Sequence, residues 1–459
     1  MTALQKRVAK RWYKTAHRLN PAQLIALAFV GIILAGSALL MLPAASRSGE
    51  SVGFVPALFT ATSATCVTGL VVFDTYIQWS GFGQIVILCL IQIGGLGFMS
   101  IASIFYLLGR KKMGLRQRML ISQALSLNDL NGVVRLQRHV LFGTFAFEGA
   151  GALILTLYFW KDYGLWRALR WGVFHSVSAF CNGGFDILGC LTPGGSLLHF
   201  QTDYVVCLTL GVLIAVGGLG FFVWEDLFRF RKTKRLTVYT KLVLLTSGAL
   251  ILAGTGAVCL FEWNNPATIG NMTVPQKLLS GLFQSISTRT AGFAALDQAA
   301  LTEGSKAFCI LLMLVGGSSG STAGGIKTVT VCVLLLAAAN RLRGRGRVSV
   351  FGREIAQEQI SNAMALVVMM VILSLGGGLF LVGVEGVSFL NGWYESASAI
   401  ATVGLSAGLT PSLGLASRLL LIVYMYFGRV GLMTISLGFL AGDRAKERFH
   451  YAETKLLIG

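Results

Sequence analysis

A chain of 459 residues that is 54% hydrophobic, only 12% charged and has a mean hydropathy of +0.71 carries about half the charge of a soluble domain, which excludes the soluble globular classes. Its formal net charge of +19 would suit a nucleic-acid partner, but the basic residues sit in alternate connections between apolar runs, a distribution that nucleic-acid binding does not explain. Eight cysteines without CxxC spacing and five scattered histidines give neither a disulfide frame nor a ligand cluster, and no P-loop or nucleophile motif points to an enzyme.

Eight charge-poor runs are predicted to span a bilayer: Gln23–Leu42, Phe82–Leu108, Val140–Trp160, Tyr204–Trp224, Leu242–Phe261, Ala307–Ala339, Ile360–Val384 and Leu419–Leu440. Each reaches the roughly 20 residues that a membrane helix needs. The first has a basic front and a small-residue tail, like a signal peptide, but its apolar run is longer than a signal core and is kept as a span. Of the 38 basic residues, 28 lie before the first span, in the three connections after every second span, or after the last span. Seven lie in the opposite loops. Positive charge stays cytoplasmic, so both termini are expected inside.

Between the paired spans lie four short segments that resemble one another: FTATSATCVTGL (Phe59–Leu70), FHSVSAFCNGGF (Phe174–Phe185), FQSISTRTAGF (Phe283–Phe293) and YESASAIATVGL (Tyr394–Leu405). Each opens on an aromatic residue, has Ser four positions later and closes on Gly before Leu or Phe. The closing glycines, Gly69, Gly184, Gly292 and Gly404, are 115, 108 and 112 residues apart. Each segment is followed, in the next span, by a glycine string: IGGLGF (from Ile93), VGGLGF (from Val216), VGGSSG (from Val315) and FGRVGL (from Phe427). A fixed period of this kind speaks to architecture before function. The expected fold is all-α and polytopic, four span–pore loop–span repeats in pseudo-fourfold arrangement around one pore. The repeats are placed at 1–109, 110–236, 237–347 and 348–459.

A segment of about 10–14 residues is too short to cross and reads as re-entrant. Non-helical backbone at that depth must be buried or line water. Four such segments around an axis would each aim a helix C-terminus, partly negative, at the centre. The stretches after them, Val67–Thr68–Gly69, Asn182–Gly183–Gly184, Thr290–Ala291–Gly292 and Thr402–Val403–Gly404, could then offer carbonyl oxygens to a cation.

These motifs, together with VGGSSGSTAGGIKT (Val315–Thr328) and FGRVG, resemble the Ktr/Trk/HKT superfamily of potassium transporters over nearly the whole chain, most of all the membrane subunits of bacterial Ktr systems. The resemblance implies a bacterial plasma-membrane pore subunit, selective for K⁺ through one glycine per repeat. Sodium-favouring plant relatives carry Ser at the first filter position, where this chain has Gly69. It further implies a homodimer, a separate cytoplasmic nucleotide-binding regulatory ring, K⁺ as permeant ion and activation by Na⁺, with no covalent cofactor; membrane lipids are the remaining partner. The third-repeat string, Gly316, Gly317, Ser318, Ser319, Gly320, Ser321, Thr322, Ala323, Gly324 and Gly325, resembles the family's intramembrane gating loop. Glycines and small hydroxyls suit a plug that lines water without bulk, and few buried apolar contacts would let it move.

Three basic residues remain, and a cation in mid-span is expected to be paired or to face the pore. Arg429 matches the family's pore arginine and acts either as an electrostatic barrier or as a tie on the gating loop. Arg289 is expected to bond pore-helix carbonyls or a carboxylate, and Lys327 either lines the inner pore or snorkels to the surface. Glu148 lies in mid-span and needs a partner that the sequence does not name. Asp74, Asp186 and Asp297 follow three of the glycines by five, two and five residues and would concentrate cations at the mouth. The rival readings are a sodium-permeable or K⁺/Na⁺-coupled member of the same family and an unrelated secondary transporter, which usually shows two repeats.

Overall fold

The computed structural model describes residues 21–97, 133–344 and 347–431. Its order is α1 (Pro21–Leu40), α2 (Phe54–Thr65), a single turn α3 (Thr75–Gln78), α4 (Gly81–Leu96), α5 (Val133–Tyr163), α6 (Leu165–Phe180), α7 (Tyr204–Leu219) and α8 (Phe221–Thr233). There follow α9 (Val238–Glu262), α10 (Val274–Ser287), α11 (Glu303–Leu314), α12 (Thr328–Leu342), a two-residue hairpin of β1 (Ser349–Val350) and β2 (Arg353–Glu354), α13 (Gln357–Glu385), α14 (Phe389–Ile400) and α15 (Leu415–Val430).

Local chemistry starts many of these helices. Ser80, Asp203, Thr237, Thr302 and Ser388 each accept a first-turn backbone N–H at α4, α7, α9, α11 and α14. Such side chains satisfy donors that a helix leaves orphaned, typically for about 1 kcal/mol each. Gln276 reaches back to accept from the Thr273 N–H at 3.0 Å, closing the start of α10.

Long helix, short helix, helix recurs four times. α1, α5, α9 and α13 each pack along the short helix that follows, α2, α6, α10 and α14. The third helix of each unit then packs on the short helix of the next: α4 on α6, α7 on α10, α11 on α14, and finally α15 on α2. The last contact closes the circle. Tyr426 of α15 donates its hydroxyl to the Ala26 carbonyl of α1 at 3.0 Å, across the same seam.

Among the described residues, four helices are long and apolar enough to cross a bilayer, Ala22–Leu40, Gln137–Tyr163, Val238–Glu262 and Gln357–Glu385. They correspond to the first predicted span of each repeat. Among the second spans, the break in the third repeat is the one its glycine string predicts, whereas the bend in the second is not expected. Tyr204–Trp224 is broken at Gly220, and α7 and α8 meet at 94°. Gly220 has φ +90°, a conformation that only glycine adopts freely. Ala307–Ala339 is divided by residues 315–327 into α11 and α12. α4 and α15 end at Gly97 (φ +79°) and Gly431 (φ +93°), and the remainders of Phe82–Leu108 and Leu419–Leu440 lie outside the described residues.

Candidate ion pathway

The four short helices end alike. After each comes a residue with positive φ that is not glycine: Val67 (+55°), Asn182 (+59°), Thr290 (+68°) and Thr402 (+52°). Two residues on stand Gly69 (+96°), Gly184 (+68°), Gly292 (+78°) and Gly404 (+96°). Left-handed backbone at a β-branched residue is strained, and three instances, with Asn182 at the fourth matching position, mark a special geometry.

The repeated serine is the brace. The N–H groups of Thr68, Gly183 and Val403 donate to the carbonyls of Ser63, Ser178 and Ser398 at 2.8, 2.6 and 2.8 Å, and Ala291 does the same to Ser287 at 2.9 Å. Ser63 and Ser398 Oγ accept from the N–H of Gly69 and Gly404 at 3.1 and 3.0 Å. Ser178 and Ser287 instead donate to the carbonyls of Phe185 and Phe293, at 2.7 and 2.5 Å. The sequence repeat displayed these serines in register without revealing their task.

The four segments meet in a ring. A Cβ placed on Gly69 would lie 2.8 Å from the Gly183 carbonyl oxygen and 3.0 Å from Gly184 Cα. On Gly184 it would meet Ala291 O at 2.8 Å and Gly292 Cα at 2.9 Å. On Gly292 it would meet Val403 O at 2.7 Å, and on Gly404 it would meet Gly69 Cα at 2.9 Å. Every glycine thus abuts the next segment in the order 69, 184, 292, 404, 69, and glycine is what the approach requires. Thr68 and Thr402 hydroxyls are buried here with no hydrogen-bond partner among the described residues.

The second glycine strings hold the ring from one side. Gly94, Gly217 and Gly428 press their bare Cα atoms onto the last carbonyls of α2, α6 and α14, those of Thr65, Phe180 and Ile400. In the third unit the corresponding Gly316 presses on Gly324 instead, because the chain turns back on itself.

That turn, residues 315–327, lies against the ring. Its neck is zipped by Gly316 N–H to Ile326 O (2.9 Å) and Ile326 N–H to Leu314 O (3.0 Å). Thr322 Oγ1 lies 3.2 Å from both the Phe180 carbonyl and Asn182 Oδ1, and Gly324 abuts the Thr402 hydroxyl. The loop is bound more by hydrogen bonds than its small side chains suggested. Ser318 N–H donates to Gly218 O at 3.0 Å, Phe221 N–H to Gly320 O at 2.9 Å, and the Tyr239 hydroxyl to Ser319 O at 2.9 Å.

All three intramembrane cations reach this loop. Arg429 donates to the Thr322 carbonyl and, through Nη2, to Gly94 O and Gly95 O at 2.5 and 3.3 Å, bridging the loop to the end of α4. Lys327, half-buried among the loop's own turns, donates to Ala323 O at 2.8 Å rather than snorkelling. Arg289 reaches Gly316 O at 3.3 Å and the Ser247 carbonyl and hydroxyl of α9 at 3.5 and 3.4 Å, so the carbonyls it meets belong to the loop and to a long helix rather than to a short pore helix as expected. Glu148 finds neutral partners, Gln92 Nε2 at 3.2 Å and the Cys181 thiol at 3.6 Å. Nothing in the sequence pairs Gln92 with Glu148.

The three aspartates are arranged differently from one another. Asp74 is spent on backbone donors, the N–H groups of Tyr76 (2.8 Å), Ile77 (2.9 Å) and, in the second repeat, Gly194 (2.8 Å). Asp186 accepts from Leu188 N–H at 3.1 Å, and burial, with the Asp74 carboxylate second, pushes its carboxyl up to about 6. Asp297 is exposed and accepts from Ala299 N–H at 2.9 Å.

The family model described as TrkH, cation transport protein, matches residues 8–446. The chain is 38% identical to the potassium/sodium uptake protein NtpJ of Enterococcus hirae, over 100% of both chains. It is also 38% identical to the Ktr system potassium uptake protein B of Bacillus subtilis, covering 97% of this chain and 98% of that one. The crystal structure of the potassium transporter TrkH from Vibrio parahaemolyticus shares the fold, with a TM-score of 0.72 at 18% identity, over 92% of this chain and 84% of that one.

Proposed function

The chain belongs to the TrkH cation transport family, and from that premise we propose that it is the pore-forming subunit of a Ktr-type potassium uptake system in the bacterial plasma membrane. The observation that carries the reading is the closed ring of Gly69, Gly184, Gly292 and Gly404. A dehydrated monovalent cation needs several oxygens at once, and carbonyls from four segments that touch in a ring can replace its water shell. Val67, Thr68, Asn182, Gly183, Thr290, Ala291, Thr402 and Val403 complete the filter, with the unpartnered Thr68 and Thr402 hydroxyls as further oxygens. Residues 316–325 are the gate, held closed by Arg429 and Lys327.

The relatives named for Ktr systems support a multicomponent assembly, so a homodimer and a cytoplasmic nucleotide-binding ring are the proposed partners. The family reading makes the chain a conduit rather than an enzyme, with K⁺ passing through and Na⁺ as activator. Since NtpJ carries both ions in its name, the test includes both.

The purified chain is placed in liposomes and K⁺ uptake is followed with and without competing Na⁺. K⁺ uptake that Na⁺ does not match is expected. Gly69→Ser should reduce K⁺ discrimination by about 1 kcal/mol, about fivefold, because its side chain intrudes on Gly183 and Gly184. Unchanged ion preference in a correctly inserted variant removes Gly69 from the filter.

A further inference from the structure

α8 has chemistry that permeation does not use. It leaves α7 at 94°, so if α7 crosses the bilayer, α8 lies along its surface. Its first turns are buried through Phe221, Val223 and Trp224, whereas every residue from Leu227 to Arg235 is exposed. That exposed stretch alternates Phe228 and Phe230 with Arg229, Arg231, Lys232, Lys234 and Arg235. Both nearby carboxylates are already engaged. Glu225 pairs with Arg229 at 2.5 Å, and Asp226 accepts the Thr237 N–H and hydroxyl at 2.8 and 2.9 Å, fixing the corner into α9. Among the described residues, Arg231, Lys232, Lys234 and Arg235 have no carboxylate partner.

Exposed aromatic rings interleaved with cations that lack a carboxylate partner among the described residues (Lys234 lies 5.9 Å over the Phe230 ring), on a helix turned parallel to the bilayer, match the chemistry of an anionic lipid surface: rings enter the headgroup boundary while cations meet phosphates. The first turn of the same helix and the end of α7 just before it are both attached to the 315–327 loop. Phe221 N–H donates to Gly320 O at 2.9 Å, Ser318 donates through its N–H to Gly218 O at 3.0 Å and through its hydroxyl to Leu219 O, and the Phe222 ring covers Gly320. We propose that α8 binds anionic phospholipid headgroups of the inner leaflet through Phe228, Phe230, Arg231, Lys232, Lys234 and Arg235, and that this binding holds the 315–327 loop in its seat against the ring. The coupling to flux rests on the gate and the cytoplasmic placement proposed above; the lipid binding itself does not need the gate.

The full chain and its R231Q/K232Q/R235Q variant are purified, and retained phosphatidylglycerol is counted by native mass spectrometry. Each cation near an anionic surface is worth about fivefold in affinity, so losing three should cut retention roughly a hundredfold. Both proteins are then placed in phosphatidylcholine vesicles with or without one-third phosphatidylglycerol, and Rb⁺ uptake is measured. The wild type is expected to run severalfold slower with phosphatidylglycerol, and the variant to run at one rate in both. Equal retention by the two proteins overturns the lipid site, whatever the flux, and binding of α8 to a soluble cytoplasmic protein in place of lipid does the same. Lower retention with unchanged flux overturns the coupling and leaves the lipid site. A chain with Ser319–Thr322 deleted should keep its phosphatidylglycerol while losing lipid dependence; if it does not transport at all, the gate reading fails and the retention result still stands.

Discussion

Arg429 illustrates how one side chain can be asked for two things, a charge in the path of cations or a clasp on a loop. Its donors are committed to carbonyls of Thr322, Gly94 and Gly95. Leaving a buried carbonyl without a donor costs about 1–3 kcal/mol, so its removal should free the loop from α4. Lysine separates the two roles, since it keeps the charge but cannot span three acceptors. We expect Arg429→Lys and Arg429→Ala both to raise K⁺ flux at matched reconstitution. If Lys leaves flux at the wild-type level while Ala raises it, charge alone is the barrier. Asp186 carries a second residue-scale expectation. Its carboxyl, pushed up to about 6 by burial and then by Asp74, is charged at pH 7 and neutral at pH 5. Because the folded value is raised, this group stabilises the fold at low pH and loses that contribution as pH rises from about 4 to 6. Its attraction for cations runs the other way, present above pH 6 and lost below. A unit charge about 8 Å away in water is worth about 0.5 kcal/mol, roughly twofold. Half-saturation for K⁺ should therefore rise about twofold as external pH falls from 7 to 5, with a midpoint near 6. Asp186→Asn should show the acid value throughout; an Asp186→Asn protein that still follows pH assigns the effect elsewhere.

At the scale of elements, the 315–327 loop is where the chain departs from its own repeat. In three units a glycine in the last turn of the third helix sits on the last carbonyl of a short helix; in the third unit the matching Gly316, just past its helix, sits on Gly324. The extra chain that results fills the space next to Asn182 and Thr402. Deleting Ser319–Thr322 removes the Tyr239, Asn182 and Arg429 attachments at once while leaving the neck at Gly316 and Ile326. Rb⁺ flux should rise severalfold in liposomes. Loss of flux in a monodisperse, inserted protein would make the loop a structural part of the ring. Much of this was legible beforehand. The aromatic–Ser–Gly spacing gave the four short helices and their glycines, since that periodicity survives in one dimension. The bend at Gly220 was hidden because an apolar run reads the same whether its helix is straight or broken at one φ. Partners such as Gln92 for Glu148, or Tyr239 for Ser319, join residues 56 and 80 positions apart, and no local pattern encodes them.

For the whole molecule, closure is the governing fact. α15 packs on α2, and Tyr426 bonds to Ala26 across 400 residues, so the first unit's short helix lacks its second neighbour until the last unit is made. Contacts of such separation carry a large ordering cost before they return stability. A bilayer reduces that cost by fixing each span's direction in advance, and the basic residues fix which way. By the positive-inside rule the charge pattern predicts the 229–241 connection inside and the 181–203 connection outside. Two cysteine positions test this placement. Cys190 is exposed and lies in the second connection; Cys89, also exposed, and the half-buried Cys332 lie within α4 and α12, inside predicted spans that an impermeant reagent does not enter, and Cys66, Cys181, Cys207, Cys259 and Cys309 are buried. A membrane-impermeant maleimide added to intact cells should label Cys190, and Cys190→Ser should abolish that labelling. Thr233→Cys, placed at the exposed end of α8 in the Cys190→Ser background, should react only after the cells are opened. Labelling of Thr233→Cys in intact cells would invert the molecule, put the Asp186 mouth in the cytoplasm and leave the proposed uptake direction without support.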